Sequence, residues 1–183
     1  RSIRNFRDEL VPEEKIRQLL EAARFAPTAA NSQGMYYLVI QDRDLIKKIT
    51  DCVADWMQEQ IDNKSPQKRY FIKVLHVYRE RGIDIIGRNA RQLIFVLARR
   101  LNVTGPSNSE QSLAYAELYA PTLGLGTTIM GFIETCLRAD YTPLRELLQI
   151  PTKQVGVGCL LVGYPRYRYH KLVDRQHLKV EFR

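Results

Sequence analysis

No apolar run in this sequence approaches the ~20 residues that a membrane-spanning helix needs. The longest, Leu93 to Ala98 and Val155 to Val162, are far shorter, and no membrane partner is expected. Cysteine is scarce. Cys52, Cys136 and Cys159 are odd in number and widely separated, which argues against a disulfide framework. No CxxC or Cys/His spacing marks a zinc or iron–sulfur site, so no metal is expected. The three thiols read as small core residues in a reducing, cytoplasmic setting. His76, His170 and His177 show neither ligand spacing nor a Ser–His–acid order. Repeats, low-complexity tracts and Gly/Ser linkers are all missing, which leaves one domain over residues 1–183. The first residue is Arg1 and not Met, so something upstream is expected to be missing, although nothing resembles a signal sequence.

What is present belongs to an ordinary folded chain. Hydrophobic residues make up 45% and charged residues 26% of the sequence. A chain of this length can bury ~70% of its unfolded surface, enough to hold a core without staples. The 28 basic residues against 20 acidic give a net charge of +8, which points to anionic partners. Arg1, Arg4 and Arg7 crowd the start, while Arg166, Arg168, Lys171, Arg175, Lys179 and Arg183 crowd the end. Two such clusters can converge on one phosphate or can simply be solvated surface.

Periodicity supplies the elements. A helix is expected from Pro12, with Ile16, Leu19, Leu20 and Ala23 on one stripe and Pro27 as its stop. Tyr36 to Ile40 reads as a buried strand, Arg43 to Gln60 as a helix, and a further helix follows the Ser65-Pro66 break to about Arg81. Gln92 to Ala98 is a second strand, Ser109 to Leu123 a helix, and Gly131 to Leu137 a short one. Thr142 is an N-cap candidate, with Pro143 opening Leu144 to Leu148. Gln154 to Val162 is a third strand, and Lys179 to Phe182 a candidate terminal one. Helices outnumber strands without regular crossovers, which favours α+β over a doubly wound nucleotide fold.

Four motifs carry chemistry. In Arg1-Ser2-Ile3-Arg4-Asn5-Phe6, an extended segment can aim two guanidiniums and a hydroxyl at phosphate oxygens; the plain alternative is a basic, frayed terminus. Ala26-Pro27-Thr28-Ala29-Ala30-Asn31-Ser32-Gln33 combines small residues with donors and acceptors suited to the edge of a heterocycle, or is a capped helix-to-strand connection. Leu123-Gly124-Leu125-Gly126-Thr127 tempts a dinucleotide-fingerprint reading. That reading fails, because Ile129 stands where a small residue is required and the pair follows a helix. Gly124 reads instead as a helix C-cap. Gly163-Tyr164-Pro165-Arg166-Tyr167-Arg168-Tyr169-His170 interleaves aromatics and cations, a pattern that suits either single-stranded nucleic acid or a tail lying on a neighbour's surface.

Taken together and in this order, the Arg-Ser-Ile-Arg-x-Phe opening, the helix into Ala26-Pro27-Thr28, the Asn31-Ser32-Gln33 triplet, Leu123-Gly124-Leu125-Gly126-Thr127 and Gly163-Tyr164-Pro165 resemble the nitroreductase family of flavin enzymes over nearly the whole chain. The Gly-Tyr-Pro-Arg-Tyr-Arg-Tyr-His ending is similar to the subgroup in which this domain follows a ferredoxin-like iron–sulfur domain. The resemblance implies an α+β fold with a central, mainly antiparallel sheet flanked by helices, in an intertwined homodimer that binds FMN at the subunit interface. By position, Arg1, Ser2 and Arg4 would hold the FMN phosphate and ribityl chain, with Arg175 closing from the C-terminal side. Thr28, Asn31 and Gln33 would reach the flavin from the partner subunit. Ile129, Met130 and Gly131 would line one ring face, with a backbone N–H near the flavin N5. The implied enzyme is an oxidoreductase with no side-chain nucleophile. A donor, NAD(P)H or a ferredoxin-like domain, and an electron-poor acceptor such as a nitroaromatic or quinone would use one open ring face in turn. Departures from the family pattern fall at Gly34, Met35 and Arg91 and bear on substrate range. The competing readings are a basic nucleic-acid-binding module, which the resemblance argues against, and a flavin-binding protein without turnover.

Overall fold

The computed structural model describes residues 2–171 and 173–183. Arg1, one of the expected phosphate ligands, lies outside the described residues.

α1 spans Glu13–Arg24. Pro12 is its N-cap, and the Pro12 carbonyl accepts from the Lys15 and Ile16 N–H groups. Glu13 and Glu14 meet the positive end of the helix dipole. The helix ends ahead of Pro27, as expected. A 3₁₀ turn at Ala29–Asn31 leads into β1, Met35–Ile40. α2, Arg43–Asp62, is capped by the Asp42 carboxylate, which accepts from the Leu45 N–H at 2.7 Å. The single helix expected up to Arg81 is instead α3, Lys68–Leu75, followed by a π-helical turn at His76–Glu80. β2 spans Gln92–Arg99.

α4, Gly105–Tyr119, begins four residues before the expected Ser109 and passes into a 3₁₀ turn at Ala120–Leu123. Gly124 caps that turn with φ +73°, a conformation natural to glycine. β3, Gly126–Ile129, follows where no strand was expected. α5 is Gly131–Arg138 and α6 is Thr142–Leu147. The residue before α6 is Tyr141, so Thr142 is the first helical residue and not the cap. β4, Gln154–Gly163, closes the sheet. Lys179 to Phe182, expected as a candidate terminal strand, forms none.

The sheet order is β1-β2-β4-β3, and each neighbouring pair is antiparallel. Alternation along β2 builds two cores. Leu93, Phe95 and Leu97 face one core with residues of α2, α3 and α5; Ile94, Val96 and Ala98 face the other with α1 and α4. The protein is therefore α+β with helices on both faces of an antiparallel sheet. The two central strands are buried, while β3 at one edge brings its last residue, Ile129, out to the surface.

Candidate functional site

The start of the chain is sewn onto that edge. The Ile3 N–H donates to the Thr127 carbonyl at 2.8 Å, and Phe6 bridges Pro165. Arg7 and Arg166 exchange backbone bonds with Tyr164 and Asn5 on either side. A Cβ on Gly126 would stand 2.6 Å from the Ile3 Cγ1, so only glycine there lets the segment lie this close. Asp8 adds a clamp: its carboxylate accepts from Arg91 at 2.7 Å and from Arg43 at 3.5 Å. These guanidiniums, Arg91 foremost, hold the Asp8 carboxyl below its ordinary range. The Arg91 departure thus has a structural task. Gln92, fully buried, adds a second fastening, since its amide makes both bonds to the Val11 backbone, at 3.0 and 2.7 Å.

With Ile3 and Phe6 turned into the protein, Ser2 and Arg4 fall on the lining of a cavity of about 420 Å³, in the size range of small-molecule sites. Its floor is the run Thr128, Ile129, Met130 and Gly131, where β3 turns into α5. Met130 uses its N–H on the Cys159 carbonyl at 3.0 Å. Gly131 opens the helix, so its N–H has no carbonyl of that helix to bond. Ile129 is 39% exposed, an apolar surface offered to the cavity. Tyr70, Phe71 and Phe132 form an aromatic wall, with the Tyr70 and Phe132 ring centroids 5.5 Å apart.

The remaining side is Arg88. The Asp84 carboxylate organises its loop by accepting from the Ile86, Gly87 and Asn89 N–H groups at 3.1, 2.7 and 2.9 Å. Arg88 and Asn89 adopt φ of 56° and 51°, strained for non-glycine residues. The Arg88 Nε is buried and has no hydrogen-bond partner. Burial and the like charge of Arg4 hold this guanidinium below its ordinary value. No carboxylate lines the cavity among the described residues. Two guanidiniums with no carboxylate beside them in the lining, one hydroxyl, an apolar floor and an aromatic wall suit a flat ligand that carries its own negative charge.

Of the residues expected from sequence, the structure brings Ser2, Arg4, Ile129, Met130 and Gly131 together. Thr28, Asn31 and Gln33 do not line this cavity; they form a separate loop in which the Thr28 Oγ1 accepts from the Gln33 N–H and the Gln33 Nε2 donates to the Asn31 Oδ1. Arg175 is exposed in the stretch after β4 and does not line it either. Sequence reasoning missed Gln67, Tyr70, Phe71, Arg88, Thr128, Phe132 and Thr135. Only Arg88 had a readable signal, a cation shortly before a buried strand.

Among the described residues no helix is long and apolar enough to cross a membrane, and no group of His, Cys, Asp or Glu could hold a metal ion. Cys136 and Cys159 are buried, and Cys52 is partly so. Burial, with Asp55 and Glu59 nearby, pushes the Cys52 thiol up to about 11, so it stays protonated at neutral pH.

Residues 1–164 match the Nitroreductase family. The chain is 28% identical over 171 residues, 93% of its length, to the FMN reductase (NAD(P)H) of Bacillus subtilis, and spans 65% of that protein. A solved nitroreductase with bound FMN from Bacteroides fragilis superposes with a TM-score of 0.75 at 18% identity, over 99% of this chain and 94% of that one. A BluB-like flavoprotein from Clostridium difficile gives the same TM-score at 18% identity, over 96% and 90%. These likenesses establish the fold.

Proposed function

The chain belongs to the nitroreductase family, and from that premise we propose that it is an FMN-dependent oxidoreductase working as a homodimer. The observation that carries this reading is the carboxylate-free cavity in which Arg4 and the orphaned Arg88 converge beside an apolar floor. When bound, FMN supplies the redox chemistry, which no side chain of this cavity could replace.

The chain's own residues bind and orient. Ser2 and Arg4, together with Arg1, meet the phosphate and ribityl chain, and Arg175 closes from the C-terminal stretch. Arg88 offers a charged donor to the electron-rich edge of the ring system. Ile129 and Met130 support one face, and the Gly131 N–H is the amide left to serve the flavin N5, since that of Met130 is already engaged. Thr28, Asn31 and Gln33 approach from the partner subunit, which accounts for their distance from the cavity of their own chain.

Exposed apolar side chains support the homodimer. Leu118 on α4 is 78% exposed and Phe25 after α1 is 69% exposed, and Leu178 and Phe182 stand out along the C-terminal stretch. A partner subunit seated over them would take this apolar surface out of water. The donor is NAD(P)H or a ferredoxin-type protein, and the acceptor an electron-poor aromatic or quinone; both use the same open face in turn. The setting is cytoplasmic. A visible spectrum of the purified protein, with and without added FMN, tests the reading. Flavin bands or stoichiometric, saturable uptake are expected; a colourless protein that ignores FMN overturns it.

A further inference from the structure

The loop that bears Thr28, Asn31 and Gln33 is held in an uncommon shape. Ala30, Asn31 and Gln33 all lie in the left-handed region, with φ of 51°, 50° and 47°, where residues with a Cβ are rare. A loop of exposed residues does not keep such a shape by burial. Its fastening is Asn108 on α4, a polar side chain only 1% exposed. The Asn108 Oδ1 accepts from the Ala29 N–H at 3.0 Å, and its Nδ2 donates to the Ser32 Oγ at 3.4 Å and to the Thr104 Oγ1 at 3.3 Å. The chain of bonds has a direction, since the Thr104 hydroxyl gives its own proton to the Asn102 Oδ1 at 2.8 Å. The amide at position 108 accepts from the loop with one atom and donates to Ser32 and Thr104 with the other. Aspartate would face lone pairs there, and alanine would leave the Ala29 N–H without its acceptor.

We propose that Asn108 is a positioning residue of the flavin site, acting from inside α4 to fix the loop through which Thr28, Asn31 and Gln33 meet the partner subunit's FMN. The inference rests on the FMN-dependent dimer proposed above. It makes the loop's geometry a property of the single chain, formed before cofactor or partner arrives. Thr28, Asn31 and Gln33 then need no ordering on binding, and preorganisation of this kind raises affinity.

The test uses the full chain with Asn108→Ala, Asn108→Asp and Gln33→Ala, and a milder variant, Thr104→Val, in case the first two fold poorly. FMN affinity, the visible circular dichroism of bound FMN and hydrogen exchange at the Ala29 amide are read together. Asn108→Ala is expected to raise the FMN Kd about tenfold, to alter the dichroic band and to speed Ala29 exchange, with Thr104→Val in between. The double variant Asn108→Ala/Gln33→Ala should lose less than the sum of the two single losses, because Asn108 acts in part through Gln33. Folded variants with lower thermal stability but unchanged affinity and dichroism would show a merely structural role and overturn the proposal. A wild-type chain that takes up no FMN defeats the FMN reading itself, and this inference with it.

Discussion

Arg88 combines a left-handed backbone, a buried Nε without a partner and a neighbouring cation. Each feature costs stability, and the last two are relieved if an anion or electron-rich edge enters the cavity. Because the guanidinium sits below its ordinary value, the fold disfavours its charged form at every pH at which the protein works. Arg88→Met should therefore leave the cofactor-free Tm unchanged or raise it. The same change should weaken FMN binding roughly tenfold, the scale of one charge-assisted hydrogen bond. Thermal unfolding without ligand and FMN titration, run on the same sample, check the two halves. A lower Tm with unaltered affinity would remove Arg88 from the site. Its one signal in the sequence, a cation before a buried strand, did not single it out because such a cation has many uses. What aims this one inward is a three-point backbone clamp by Asp84, a tertiary fact.

Among the elements, the N-terminal segment and β3 depend on one another. Gly126 is the condition for their contact, and Gly126→Ala places a methyl against Ile3. Overpacking of this kind costs about 1–3 kcal/mol, and here it should also lift Ser2 and Arg4 away from the cavity. Lower thermal stability together with weaker FMN binding is expected, and partial recovery with Ile3→Ala would locate the fault in this contact.

α1, α2, β1, β2 and β4 were legible because their apolar periods are long, and Asp42 marks the start of α2. β3 was not. Gly126-Thr127-Thr128-Ile129 is four residues with one large apolar side chain, and it is a strand only because β4 lies beside it. The early start of α4 was concealed in the same way. Thr104, Gly105, Pro106 and Asn108 are poor helix formers, yet Gly105, Asn108, Ser109 and Ser112 are all buried, a small polar stripe that no hydrophobic count detects. Of the site, the half carried by Ser2, Arg4 and the β3–α5 turn was readable from motifs, whereas the aromatic wall of Tyr70, Phe71 and Phe132 follows from packing alone.

At the scale of the whole molecule, the proposed site is divided between subunits, and this gives a test by mixing. Arg4→Ala damages the pocket side, and Asn108→Ala the loop side. Refolding the two variants together lets mixed dimers form, each with one site doubly damaged and one intact. Roughly a quarter of all sites should then bind FMN with wild-type affinity if subunits pair at random. No recovery would mean that both residues serve the same subunit's site. The sheet's two edges differ in a way that follows from this arrangement. β3 ends the sheet on one side, and what covers it is the segment that begins with Ser2 and Arg4. An uncovered strand edge is a template for other chains. The residues proposed to meet the cofactor would thus also guard against aggregation: loosening them would expose an adhesive margin, and a bound anion that tightens them would protect the protein's solubility as well as its chemistry.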